Sequence, residues 1–216
     1  MEVHCVAGLG FDSNTFIICA EKPVIVDTGT GVYVGRIKDK LKQLGLAKKK
    51  PAIVLTHRHI DHVGGALSLS KELGSKIYSS ETEALVLREG NEPTTCAFMT
   101  GMELPGLEVA DIGTSLDCGD AELQAIASPG HTSGHIVLYD GKSRSLFCGD
   151  VIFCDGGVGR WDLATGNYHE LVRSIEKLSK LKVKSIYPGH GPFAEDDGDQ
   201  HVKMALNSIK AWSGLE

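Results

Sequence analysis

Apolar residues recur along this chain in two rhythms, one of short runs and one of helical spacing. Residues 15–19 (Thr-Phe-Ile-Ile-Cys) and 23–27 (Pro-Val-Ile-Val-Asp) predict paired strands, the second ending at Thr28-Gly29-Thr30-Gly31. Ile37, Leu41 and Leu44 lie on one helical face, which predicts a helix near 33–44 with Gly45 as its stop. A strand at 52–55 follows, then helices at 63–73, closed by Gly74, and at 81–88. Residues 90–106, with Pro93, Pro105 and small polar residues, read as a long connection between halves. Strands are then expected at 107–112, 122–127, 135–139 and 144–148, a helix at 168–181, a strand at 183–187 and a helix at 201–212.

Strands, helices, strands, helices is the order of an α/β chain with two similar layers, sheets facing inward and helices outside. A length of 216 residues with 42% hydrophobic content suits one domain, 1–216, and no short repeat is visible. The net charge of −6 forms no basic stripe, which argues against nucleic acid as a partner. No run of eighteen apolar residues exists and the first residues lack the features of a signal peptide, so a cytoplasmic protein without a membrane partner is expected. Cys5, Cys19, Cys96, Cys118, Cys148 and Cys154 are scattered, as in a reduced protein whose thiols are mostly buried.

The chemistry concentrates in Thr56-His57-Arg58-His59-Ile60-Asp61-His62, directly after the apolar run at 52–55. Imidazole nitrogens and carboxylate oxygens suit zinc, iron or manganese, and no Cys-x-x-Cys stands nearby to suggest a thiolate site. A strand ending at Leu55 releases His57, His59 and Asp61 into a turn, where side chains can converge on one point. Three further polar motifs stand at expected strand ends: Ser128-Pro129-Gly130-His131-Thr132-Ser133-Gly134-His135, Cys148-Gly149-Asp150 and Tyr187-Pro188-Gly189-His190-Gly191-Pro192. Taken singly, His131 and Asp150 have turn or capping readings; four such motifs in one chain favour ligation.

The ordered set His57-x-His59-x-Asp61-His62, His131, Asp150 and His190 resembles the metallo-β-lactamase fold superfamily, whose fold is a single-domain four-layer αββα sandwich. The resemblance implies that His57, His59 and His131 hold one divalent metal ion and that Asp61, His62 and His190 hold a second, with Asp150 bridging. Zinc is the expected metal, with iron or manganese as alternatives. Asp27-Thr28-Gly29 is similar to the superfamily's first motif, which supports the site from behind the ligands, and His135 is read as either a supporting hydrogen-bond partner or a strand residue. Two cations sharing a water lower its pKa and create a nucleophile without serine or cysteine. Asp61 is the candidate to accept its proton.

Residues 129–135, 147–153 and Gly156-Gly157-Val158-Gly159-Arg160 resemble the glyoxalase II branch, which implies a small-molecule thioester substrate whose carboxylate meets Arg160. Glutathione-specific members of that branch carry a further C-terminal helical domain. The chain ends at Glu216 with no room for one, so the expectation leaves glutathione open, with another thioester or a different ester beside it. Within the superfamily the alternatives are a persulfide dioxygenase, with one iron on the positions of His57, His131 and Asp150, or a lactonase or other ester hydrolase. A non-catalytic scaffold on the same fold is the reading outside enzymes.

Overall fold

The computed structural model describes residues 1–212. One six-stranded sheet runs, in neighbour order, β1 (Glu2–Val6), β2 (Thr15–Cys19), β3 (Val24–Val26), β4 (Ala52–Val54), β5 (Ile77–Ser79) and β6 (Val109–Asp111). Its first three strands pair antiparallel and the rest parallel. The second sheet has the order β11 (Ser185–Pro188), β10 (Ser145–Gly149), β9 (Ile136–Asp140), β8 (Glu122–Ala127) and β7 (Ser115–Asp117). Only its β10–β11 pair is parallel.

The two-residue period of the strands sorts side chains into three apolar layers. Phe16, Ile18, Val26 and Val54 of the first sheet meet Leu123, Leu138, Phe147 and Tyr187 of the second in a layer between the sheets. Ile17, Ile25, Ile53 and Leu55 point the other way, onto α1 (Val34–Gln43), α3 (Ala66–Leu73) and α4 (Glu81–Glu89) through Leu41, Leu69 and Leu87. Val137, Leu146 and Cys148 pack against α5 (Tyr168–Leu178) and α6 (Gly198–Trp212) through Ile175, Leu178, Val202 and Ile209. The expected α/β class and αββα layering are therefore observed. All six cysteines are free thiols. Among the described residues no helix is long and apolar enough to cross a membrane.

The expected helix at 63–73 begins earlier and in two pieces. A first turn, α2 (Ile60–Val63), precedes a break at Gly64-Gly65, and α3 follows. The break is a close approach: a Cβ on Gly64 would stand 2.1 Å from the Thr30 carbonyl oxygen. Asp61 and His62 thus sit on a helical turn rather than in a loop. Three strands escaped the sequence pattern, β1, β5 and β7, of which β5 and β7 have three residues each, too few to show alternation. The strand expected at 135–139 starts at Ile136, which leaves His135 just ahead of it.

Candidate metal centre

Four strand ends deliver the polar motifs to one rim of the sandwich. β4 leads to Thr56 and His57, β8 to the loop holding His131, β10 to Asp150 and β11 to His190. The loops are tied to one another through the backbone. Gly189 N–H donates to Gly149 O (2.8 Å), Asn14 N–H to Gly189 O (2.6 Å), Ser13 N–H to Asp61 O (3.0 Å) and Ile136 N–H to Thr56 O (3.0 Å). Gly189 is required where it stands, because a Cβ there would lie 2.3 Å from Asp150 Oδ1 and 2.6 Å from His62 Cε1.

The seven candidate ligands converge into two touching groups. His57 Nε2 and His131 Nε2 lie 3.0 and 2.9 Å from His59 Nδ1. His190 Nε2 lies 3.3 Å from His62 Nε2 and 3.1 Å from Asp61 Oδ2. Asp150 stands between them, Oδ1 at 3.3 Å from His62 Nε2 and Oδ2 at 3.7 and 3.6 Å from His131 and His190 Nε2. Donor atoms bound tetrahedrally at zinc-like distances stand about 3.3–3.6 Å apart, and these spacings, 2.9 to 3.7 Å, fall around that range. Each of His57/His59/His131, His57/His62/Asp150 and Asp61/His62/His190 has its donor atoms within 4.8 Å of one another.

The far side of three rings fixes which nitrogen faces inward. His131 Nδ1–H donates to the Arg160 carbonyl oxygen (2.8 Å) and His62 Nδ1–H to Asp27 Oδ2 (2.8 Å). His57 Nδ1 meets Thr56 Oγ1 (3.1 Å), whose hydroxyl donates to Asp27 Oδ2 (2.8 Å), while Thr56 N–H donates to Asp27 Oδ1 (2.8 Å). With the protons held at Nδ1, the Nε2 lone pairs of His57 and His131 point at the centre, as metal-ligating imidazoles require. Asp27 thus reaches both groups, His62 directly and His57 through Thr56.

The electrostatics agree with a cation site. Burial, helped by the neighbouring rings, holds His57 well below the usual imidazole range and His59 down to about 3, so both are neutral, the state a cation requires of them. Burial also lowers His131, partly offset by Asp150. His62 differs: burial opposes its protonation, yet Asp150, Asp27 and Asp61 hold it well above its ordinary value, so a cation at its Nε2 replaces a proton. Burial would raise Asp150, but His62, His131 and His190 hold it far below the carboxylate range. Among the described residues Asp150 Oδ1 is buried with no aligned hydrogen-bond partner, which leaves a charged oxygen for which a cation is the fitting partner.

His135 lies behind the ligands, stacked on His57 with ring centroids 4.8 Å apart, and its Nε2 accepts from Asp150 N–H (3.1 Å). Arg160 points outward, its guanidinium paired with Asp162 at 2.9 and 2.8 Å and 60% exposed, while its carbonyl holds His131. Sequence reasoning missed Arg58, whose side chain is 4% exposed. It pairs with the buried Glu83 of α4 and donates to Ser133 Oγ (3.0 Å) and Thr94 Oγ1 (3.2 Å), while Thr132 Oγ1 donates to Glu83 (2.6 Å). Its available signal was an arginine enclosed between two ligands after a buried strand. Asn14 was missed as well: it donates to Pro188 O (3.1 Å) and Gly191 O (3.0 Å), bracing the His190 loop.

The family model of the metallo-beta-lactamase superfamily matches residues 8–190. The chain belongs to that superfamily. Within it, a probable metallo-hydrolase of Methanocaldococcus jannaschii is 29% identical over 92% of this chain and 97% of its own length. A hydroxyacylglutathione hydrolase of Haemophilus influenzae is 29% identical over 96% of this chain and 99% of its own length. A protein solved in a di-iron-bound form, TTHA1623, superposes with a TM-score of 0.76, 27% identity and coverage of 95% of this chain and 96% of that one. The chain is a metallo-hydrolase of the metallo-beta-lactamase superfamily by these likenesses, with its histidine-rich clusters as candidate metal sites.

Proposed function

We propose that this metallo-hydrolase is a binuclear enzyme that cleaves a small-molecule thioester, in the manner of glyoxalase II, inside the cell. His57, His59 and His131 would hold one divalent cation, Asp61, His62 and His190 a second, and Asp150 both; zinc is the favoured metal. The observation that carries the reading is the inward convergence of seven donors whose rings are oriented from behind by Asp27, Thr56 and the Arg160 carbonyl. Bound cations supply a nucleophilic water at neutral pH and positive charge for a developing oxyanion.

The protein's own groups complete the task. Asp61 is the most open carboxylate of the centre, 25% exposed against 12% for Asp150, and the rings of His62 and His190 keep it ionised against the effect of burial. It is therefore the group placed to take a proton from water at the mouth of the site. Asp27 and Thr56 keep the ligand rings in place, so donor positions need not reorganise during the reaction. Arg160 is the candidate for a substrate carboxylate, which would have to displace Asp162. That exchange is feasible because an ion pair this exposed is worth little.

The thiol carrier reads differently after the comparisons. The Haemophilus influenzae hydroxyacylglutathione hydrolase is matched over nearly its whole length, so a relative of this size bears that name without a further domain. That supports a glutathione thioester as the first substrate to try. Metal analysis joined to a panel of thioesters, lactones, β-lactams and a persulfide tests the proposal. Near two zinc equivalents with thioester cleavage is expected; one iron with oxygen uptake on the persulfide would overturn it.

A further inference from the structure

A second set of metal-type donors lies away from the rim, on the outer face of the first sheet. β1 is that sheet's edge strand, and its Glu2 is paired directly with Cys19 of β2. The two-residue period puts Glu2, His4 and Val6 on one face of β1, with Cys19 and Ile17 on the same face of β2. Val6 and Cys19 pack toward the helices, whereas Val3 and Cys5 point into the layer between the sheets. The register therefore brings one carboxylate, one imidazole and one thiol together and turns the nearby Cys5 away.

The donor atoms of Glu2, His4 and Cys19 lie within 4.8 Å of one another. Among the described residues His4 Nε2 is buried at the atom and lacks an aligned hydrogen bond, although Glu2 Oε1 stands 2.9 Å away. A ring nitrogen buried at the atom, with a carboxylate close by but no directional hydrogen bond and a thiol beside it, is a donor that a cation can engage. The Glu2 side chain is 70% exposed, so packing leaves it room to adjust. Sulfur, nitrogen and oxygen in one set suit a thiophilic divalent cation such as zinc or cobalt, with a fourth position left to water.

We propose that Glu2, His4 and Cys19 form a separate, thiolate-containing site for one divalent cation that clips the edge strand β1 to β2. Binding releases the Cys19 thiol proton to solvent and forms sulfur–, nitrogen– and oxygen–metal bonds. The clip stabilises an edge strand, because a cation that binds only the folded pairing shifts the equilibrium toward it.

The donors of the candidate metal centre are nitrogen and oxygen only, so a thiolate-to-cobalt charge-transfer band reports the edge site alone. The full chain, stripped with chelator, is titrated with cobalt(II) and followed by absorption. The proposal expects a thiolate band that saturates with one equivalent beyond those filling the rim. Cys19→Ser removes that band and that equivalent while the visible cobalt bands of the rim site persist, and His4→Gln weakens cobalt binding at the edge at least tenfold. Absence of any thiolate band, or its survival in Cys19→Ser, overturns the proposal. Rim stoichiometry and thioester cleavage are read separately, so either proposal can fail without the other.

Discussion

At the scale of single residues, Asp150 and Arg160 separate metal binding from substrate binding. Asp150 lies among donors of both groups, so Asp150→Ala is expected to lose most bound metal and nearly all hydrolysis, measured by metal content after dialysis. Full metal retention in that variant would remove its bridging role. Arg160→Ala should keep its metal, because the carbonyl that holds His131 survives the change, and should raise KM several-fold with little loss in kcat. Asp162→Asn should act in the opposite direction by freeing the guanidinium fork; an unchanged KM in both variants would take Arg160 out of substrate binding.

The residue scale is also where the sequence was most legible. Every ligand candidate stands beside a strand end and bears a side chain of restricted chemistry, so His57, His59, Asp61, His62, His131, Asp150 and His190 announce themselves by type and order. Arg58, Thr56 and Asn14 do not, because arginine, threonine and asparagine occur everywhere and their work depends on partners far along the chain. Arg58 meets Glu83, Thr94 and Ser133, which only the folded chain brings near.

At the scale of elements, the Arg58–Glu83 pair joins the loop after β4, the start of α4 and the His131 loop. Ser80 caps α4 by accepting from Glu83 N–H (3.3 Å), yet the Glu83 side chain turns inward to Arg58 instead of closing a capping box. Removing one partner of a buried ion pair costs about 3–5 kcal/mol, since it leaves the other charge unpaired. Arg58→Gln is therefore expected to lower stability on that order and to weaken metal held by His57, His59 and His131 about 10–100-fold. Thermal unfolding and chelator competition measure the two effects. Loss of stability with unchanged metal affinity would mean the pair holds α4 alone. The helices were readable from periodicity and β3 and β4 from their apolar runs, but β1, β5 and β7 were not: they carry no such run, and they exist because neighbours offer them hydrogen bonds.

At the scale of the whole molecule, the layer between the sheets holds the two halves of the centre in register. Phe147 packs edge-on against Phe16 (5.9 Å) and stacks on Tyr187 (4.8 Å), one residue before Cys148-Gly149-Asp150. Phe147→Ala is expected to cost about 3–5 kcal/mol, measured by denaturant unfolding. A cost below about 1 kcal/mol would mean the sheets meet less closely than described. The layering was foreseeable from the order of elements, whereas the meeting of both sheets' loops at one rim needed the register of every strand.

Whether a two-cation centre opens a thioester is decided by one titration. Chelator-stripped protein is given zinc in steps while free thiol released from S-lactoylglutathione is recorded. No release is expected without metal, and a rise that levels off near two equivalents per chain. Release independent of added zinc, or none at any loading, would contradict the two-cation reading.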